Sequence, residues 1–191
     1  MCFECVCMND KFVDFTENVS KLKLIARKGW VSQVGVEKPE SVADHSFACA
    51  VLAMCLGDLK GLDTEKLIRL ALVHDLHEAL IGDYDYFDKQ RIGLEQAKKN
   101  QEQAIGEVFH KLPPNIREKY VSLAKEYLCQ ETPEAKLVKQ IDKLEMIMQA
   151  FQYEKAGYDK VKLQSFWDSV EGNLTEPNLK AIFELLKEER K

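Results

Sequence analysis

From residue 12 to residue 188, apolar side chains recur three or four positions apart in one stretch after another. Phe12, Phe15, Val19, Leu22 and Ile25 form one such row; Leu137, Ile141, Leu144 and Met148 form another. That period marks amphipathic helices, each burying one stripe and wetting the other. Little breaks the pattern, for 191 residues contain only nine glycines and five prolines, well under ordinary usage. The expected fold class is all-α, a single helical bundle over 1–191. The chemistry-bearing motifs fall between 27 and 154, and C-terminal helices over 160–188 pack on them.

The spacing predicts helices over 12–26, from Ser41-x-x-Asp44 (a capping box) to Leu59, and from Asp63 or Thr64 to the stop at Gly82. Further helices cover 97–112 and 116–127. Thr132-Pro133, a cap followed by proline at the first helical position, opens another to about Glu154. Phe166, Trp167 and Val170, then Leu179, Ile182, Phe183 and Leu186, mark the last two. The segments 29–40 and 83–90 read as loops.

Hydrophobic residues at 46% exclude a mostly disordered chain. The net charge of −5 comes without a basic block, so no nucleic-acid polymer is expected as partner. No apolar run approaches the roughly 18 residues of a membrane span, so none is expected. The N-terminus lacks the basic start of a signal peptide. Cys2-x-x-Cys5 is half of a zinc ribbon with no second pair, and Cys7 adds none. Cys49 and Cys55 fall in an apolar helical row, where thiols act as small hydrophobes. Reduced thiols and a cytoplasmic location are expected.

Four polar residues interrupt the predicted core stripes. His45 leads the row Ala48, Cys49, Leu52, Leu56; His74 follows Leu67, Leu70 and Ala71, with Asp75 beside it; Asp142 adjoins Ile141. Burying a carboxylate without a partner costs several kcal/mol, so a buried Asp calls for a cation or good hydrogen bonds. Two imidazoles and two carboxylates meeting in a bundle suit a divalent transition metal. Each residue alone also has a plainer reading, and Asp142 could pair with Lys139 or Lys143. The combination across three helices favours the metal.

This H…HD…D pattern resembles the HD-domain metal-dependent phosphohydrolases. Arg27-Lys28-Gly29-Trp30, Pro39-Glu40-Ser41-Val42-Ala43-Asp44-His45, Leu72-Val73-His74-Asp75-Leu76-His77-Glu78, Gly82-Asp83 and Val138-Lys139-Gln140-Ile141-Asp142 are similar to the 5′-deoxynucleotidase branch of that family. The resemblance, running from about residue 15 to 188, implies one HD domain. It assigns His45, His74, Asp75 and Asp142 to one divalent cation, Co²⁺ or Mn²⁺ being usual, with Asp75 also touching the reacting water. It makes Glu78 the general acid/base, and gives Arg27, Trp30 and Asp83 to the phosphate, the pocket wall and the sugar hydroxyl. Their plainer alternatives are an exposed Glu, a cation at a helix C-terminus, a core Trp and a turn Asp.

The implied reaction is metal-dependent hydrolysis of 5′-deoxynucleoside monophosphates to deoxynucleoside and phosphate, by a homodimer. The rivals are an HD phosphodiesterase or triphosphohydrolase and a non-catalytic nucleotide-sensing module. Three departures bear on this. Lys28-Gly29 separates Arg27 from Trp30; 31–38 lacks a second arginine, leaving Lys28 as the candidate second phosphate contact; and 84–90 differs in sequence. His77 has no extra acidic partner that would make a second metal site.

Overall fold

In the computed structural model the described residues are 3–190, with side chains from residue 12 onward. Cys2 therefore lies outside them, as do the side chains of Cys5 and Cys7. The elements are α1 (Phe3–Lys21), a single π-helical turn (Trp30–Val34), α2 (Val42–Lys60), α3 (Thr64–Val73), α4 (Glu78–Ile81), α5 (Tyr86–Ile92), α6 (Leu94–Val108), α7 (Pro114–Cys129), α8 (Pro133–Lys155), α9 (Lys160–Val170) and α10 (Pro177–Glu189). No strand forms among the described residues, only an isolated antiparallel bridge between Ala26 and Ser41.

That bridge explains why α1 stops at Lys21 rather than near residue 26. The backbone of Ile25 and Arg27 bonds across to Val42 and Glu40, at 2.9 and 3.0 Å, instead of continuing the helix. Arg27 is consequently not a helix-terminal cation. The bridge also sets the start of α2, where Ser41 and Asp44 form the expected capping box: the Asp44 N–H donates to Ser41 Oγ at 3.1 Å and the Ser41 N–H to Asp44 Oδ2 at 2.9 Å. His45 is thereby held in the first turn of α2.

Helices α2, α3 and α8 pack on one another, with α7 against α3 and α8, and α9 and α10 against α8. One contiguous core includes Leu67, Leu70, Ile141, Leu144, Ile147 and Leu163. Phe166, Trp167, Val170, Leu179 and Phe183 join it, so the C-terminal helices bury their apolar faces within the chain. By length and composition α2 is apolar enough to cross a membrane. Its inner face, including Ala50, Ala53 and Leu56, is in the core. Close approach of α2 to α3 depends on Gly57, where a Cβ would lie 2.7 Å from both Leu67 Cδ1 and Thr64 Oγ1. Gly57→Ala is expected to destabilise the fold by about 1–3 kcal/mol in urea unfolding, although alanine is the better helix former.

Two further predicted boundaries differ. The helix expected to run from Asp63 or Thr64 to Gly82 breaks between Val73 and Glu78, where i→i+3 bonds such as Glu78 N–H to Asp75 O (3.0 Å) tighten the chain. His74 Nδ1 bonds the Ala71 carbonyl at 2.7 Å, the acceptor a continuing helix would offer to Asp75. The segment 83–90 is not all loop. Asp85 caps α5, accepting from the Asp88 N–H at 2.8 Å, and seven residues are too few for periodicity to reveal.

Candidate active site

Where α2, the His74–Glu78 turn and α8 meet, a cleft of about 800 Å³ opens, a size typical of small-molecule sites. Arg27, Trp30, His74, Asp75, Glu78, Asp83 and Asp142 all line it. His45, fully buried, sits just behind. All eight residues singled out in the sequence thus come to one place.

The four ligand candidates converge. His45 Nε2 is 3.3 Å from Asp142 Oδ1 and 3.9 Å from Asp75 Oδ2, and His74 Nε2 is 3.1 Å from Asp75 Oδ2. The far side of each ring is already engaged. His74 Nδ1 donates to Ala71 O, and His45 Nδ1 is paired with Glu145 on α8. Both Nε2 lone pairs therefore face carboxylate oxygens, and His74 Nε2 has no hydrogen-bond partner although it is buried. Acceptors opposed to acceptors require a positive charge between them. The same demand draws His45 well above the ordinary imidazole value: burial and Arg27 oppose its charge, but Asp142, Cys49 and Glu145 prevail. A divalent cation fits this donor set, and the Nδ1 bonds are the outer contacts that hold ligand imidazoles in the right tautomer.

Nearby charges hold the two carboxylates ionised against their burial. His74 and Arg27 keep Asp75 well below the usual carboxylate range; Lys139 and His45 do the same for Asp142. Asp142 Oδ2 also accepts from Tyr127 Oη and Lys139 Nζ, each at 2.9 Å. The Lys139 pairing foreseen from sequence is therefore present inside the cleft, beside the convergence on His45 rather than instead of it.

Glu78 behaves differently. It is 6% exposed, its Oε2 has no partner, and burial followed by Asp75 and Asp83 raises its carboxyl well above the ordinary value. It reaches the cleft from the start of α4 and not, as the spacing predicts, from one continuous helix shared with His74.

Arg27 lies 3.3 Å from Asp75 Oδ2; burial opposes its charge, but Asp83, Asp75, Asp142 and Glu78 more than restore it. Asp83 accepts from the Lys28 backbone N–H at 2.6 Å, tying the Arg27 segment to the end of α4. Trp30 is 2% exposed, stacked on Phe166 at 4.3 Å, with its N–H on Glu40 at 2.8 Å. It is thus both core and pocket wall. Lys28 pairs with Asp88 outside the cleft, while Lys89, Lys139 and Lys143 line it.

Glu145, Glu40, Tyr127 and Lys139 escaped the sequence reading as site residues. Glu145 carried a signal, since it lies four residues after Ile141 on the apolar side of α8. Burial and Glu145 together push the Glu40 carboxyl up to about 7. Glu145→Gln is expected to weaken divalent-cation affinity about 10–100-fold, as loss of an outer ligand contact typically does. Isothermal titration of the metal-free protein checks it.

A family model described as HD domain matches residues 19–182. The chain belongs to the HD-domain family. Among its HD-domain relatives, 5′-deoxynucleotidase HDDC2 of Dictyostelium discoideum is 40% identical over 190 residues, covering 94% of this chain and 98% of that protein. The human 5′-deoxynucleotidase HDDC2 is 38% identical over 178 residues, covering 93% and 85%. The crystal structure of the PH0347 protein from Pyrococcus horikoshii OT3 superposes with a TM-score of 0.76 at 32% identity, covering 92% of this chain and 96% of that one.

Proposed function

We propose that the protein is a divalent-metal-dependent phosphomonoesterase that hydrolyses 5′-deoxynucleoside monophosphates to deoxynucleoside and phosphate. The observation that carries this reading is the pair of buried Nε2 atoms close to the Asp75 and Asp142 carboxylates, with Glu78 and charged Arg27 in the same cleft. The HDDC2 relatives, named as 5′-deoxynucleotidases, support it.

His45, His74, Asp75 and Asp142 would hold the cation, Co²⁺ or Mn²⁺ in the first instance. When bound, it lowers the pKa of a water and draws charge from the phosphoryl oxygens. The protein's own groups do the rest. Arg27, planar and permanently charged, grips two phosphoryl oxygens and neutralises the charge that grows on them. Asp75 accepts a hydrogen bond from the attacking water. As the bond from phosphorus to the 5′ oxygen breaks, Glu78 hands its proton to the departing oxygen; its burial raises its carboxyl well above the ordinary value and so favours the proton-bearing form. Asp83 receives the sugar hydroxyl, and Trp30 closes the wall.

Phosphate release from paired 5′-dNMP and 5′-NMP substrates, with Co²⁺, Mn²⁺, Mg²⁺ or Zn²⁺, tests the reading. Activity on the deoxy substrates with little on the ribo forms is the expected result. Equal rates would remove the sugar preference, and silence on all of them would remove the reaction. Lys89, Lys139 and Lys143 line the cleft beside Arg27, more cations than the sequence alone placed there, which favours keeping nucleoside triphosphates as a second substrate class. Pyrophosphate or triphosphate release identifies that outcome. A homodimer completes the proposal. Phe47, Val51 and Met54, 67%, 40% and 42% exposed, form an outward apolar row on α2 that suits the contact, and sedimentation velocity measures it.

A further inference from the structure

Helix α5 carries two aromatic side chains that the core does not take up. Tyr86 and Phe87 are 63% and 57% exposed, yet both line the cleft. Their rings meet edge to face, with centroids 5.7 Å apart. A single exposed apolar side chain is ordinary on a protein surface. Here two stand together at the mouth of a charged cleft, on a helix that is pinned in place. Asp85 and Asp88, both buried, tie α5 to the Arg27 segment: Ser32 Oγ donates to Asp85 Oδ2 at 2.7 Å, and the Lys28 ammonium pairs with Asp88. The backbone N–H of Lys28 holds Asp83 in the same way, at 2.6 Å. The two rings are thus positioned by buried ionic contacts beneath them.

The cleft is also graded from floor to mouth. His74 and Glu78 are buried, Asp83 is half-buried, and Tyr86 and Phe87 stand in solvent. Charge lies at the buried end and aromatic surface at the open end. A nucleoside monophosphate has the same order along its length: a charged phosphate, a sugar, then a flat aromatic ring. We infer that Tyr86 and Phe87 form the platform on which the substrate's nucleobase stacks, so that the base is gripped by its face and not read by its edge. The inference rests on the phosphomonoesterase reading above and names the part of that site that takes the base. With the two ring planes 76° apart, one lies parallel to the base and the other meets its edge. Every base has a π-face, so stacking admits all four, and the larger purine ring gains more. The contact is made alike in ground and transition states, so it acts on KM and leaves kcat alone.

Steady-state phosphate release by the full chain from dAMP, dCMP and 2-deoxyribose 5-phosphate, the last lacking a base, tests the platform. In the wild type the KM of deoxyribose phosphate should exceed that of dAMP by roughly 5- to 100-fold, the usual worth of one base–aromatic stack, with dCMP between them. In Tyr86→Ala/Phe87→Ala that ratio should fall toward one. Tyr86→Phe keeps the ring and should keep the ratio. General damage to α5 touches every substrate and divides out, as in a double-mutant cycle. Where the alanine pair is too unstable to assay, Tyr86→Leu/Phe87→Leu retains apolar bulk without a π-face and should lower the ratio as well. A wild-type ratio near one, or a raised ratio that survives loss of both rings, would overturn the platform and leave the phosphomonoesterase reading standing. No phosphate from any of the three in the wild type would overturn that reading, and the platform with it.

Discussion

Glu78→Gln is expected to lower kcat for 5′-dNMP hydrolysis by about 10²–10⁴-fold, the usual contribution of a positioned general acid or base. The amide preserves shape and fills the same buried space, so packing around the start of α4 should survive. Gln has no carboxyl proton to give the departing oxygen. Because Glu78 is not one of the four donors proposed for the cation, the variant should retain its ion, and KM should move far less than kcat. Steady-state phosphate release beside elemental analysis of bound metal decides the matter. A variant that loses its cation along with its activity would make Glu78 a ligand; one that keeps full activity would leave it without a role in proton transfer.

Removing the cation should cost a comparable factor. Lewis-acid help is worth several kcal/mol in transition states of this kind, so chelation should reduce turnover by roughly 10³-fold or more, with recovery on adding a cation back. Asp142→Asn should produce the same deficit without recovery at ordinary cation concentrations. Asn keeps an oxygen for the Tyr127 hydroxyl and the Lys139 ammonium, at the 2.9 Å now seen for both. It removes the charge that opposes His45. Metal content below one per chain in Asp142→Asn, with a native circular dichroism spectrum, is the signature to seek. Full activity after exhaustive chelation would sink the metal-dependent reading.

The helical class and most helix starts were legible because caps and apolar rows are local signals: Ser41 with Asp44, and Thr132 before Pro133, act within four residues. The eight site residues were legible through their motifs. What stayed hidden depends on contacts distant in sequence. The break at His74 follows from a ring that takes a backbone acceptor, and the early end of α1 from pairing with the strand-like approach to α2. Lys139 looked like a surface partner; it is half-buried at the cleft, where its ammonium bonds both Tyr127 and Asp142. Lys28 looked available until α5, itself too short to predict, placed Asp88 against it. Cys49 read as a small hydrophobe, and it is fully buried in the core.

The four convergent donors come from α2, the turn after α3, and α8, so no short piece of the chain contains the set. A cation bound there is also a tertiary cross-link. It engages only the folded molecule, and at a hundredfold excess over its Kd it adds about 2.7 kcal/mol to folding stability. Metal supply would then govern the protein's lifetime as well as its turnover. Starved of the ion, the chain becomes an easier target for proteases at the same moment that it falls silent as a catalyst.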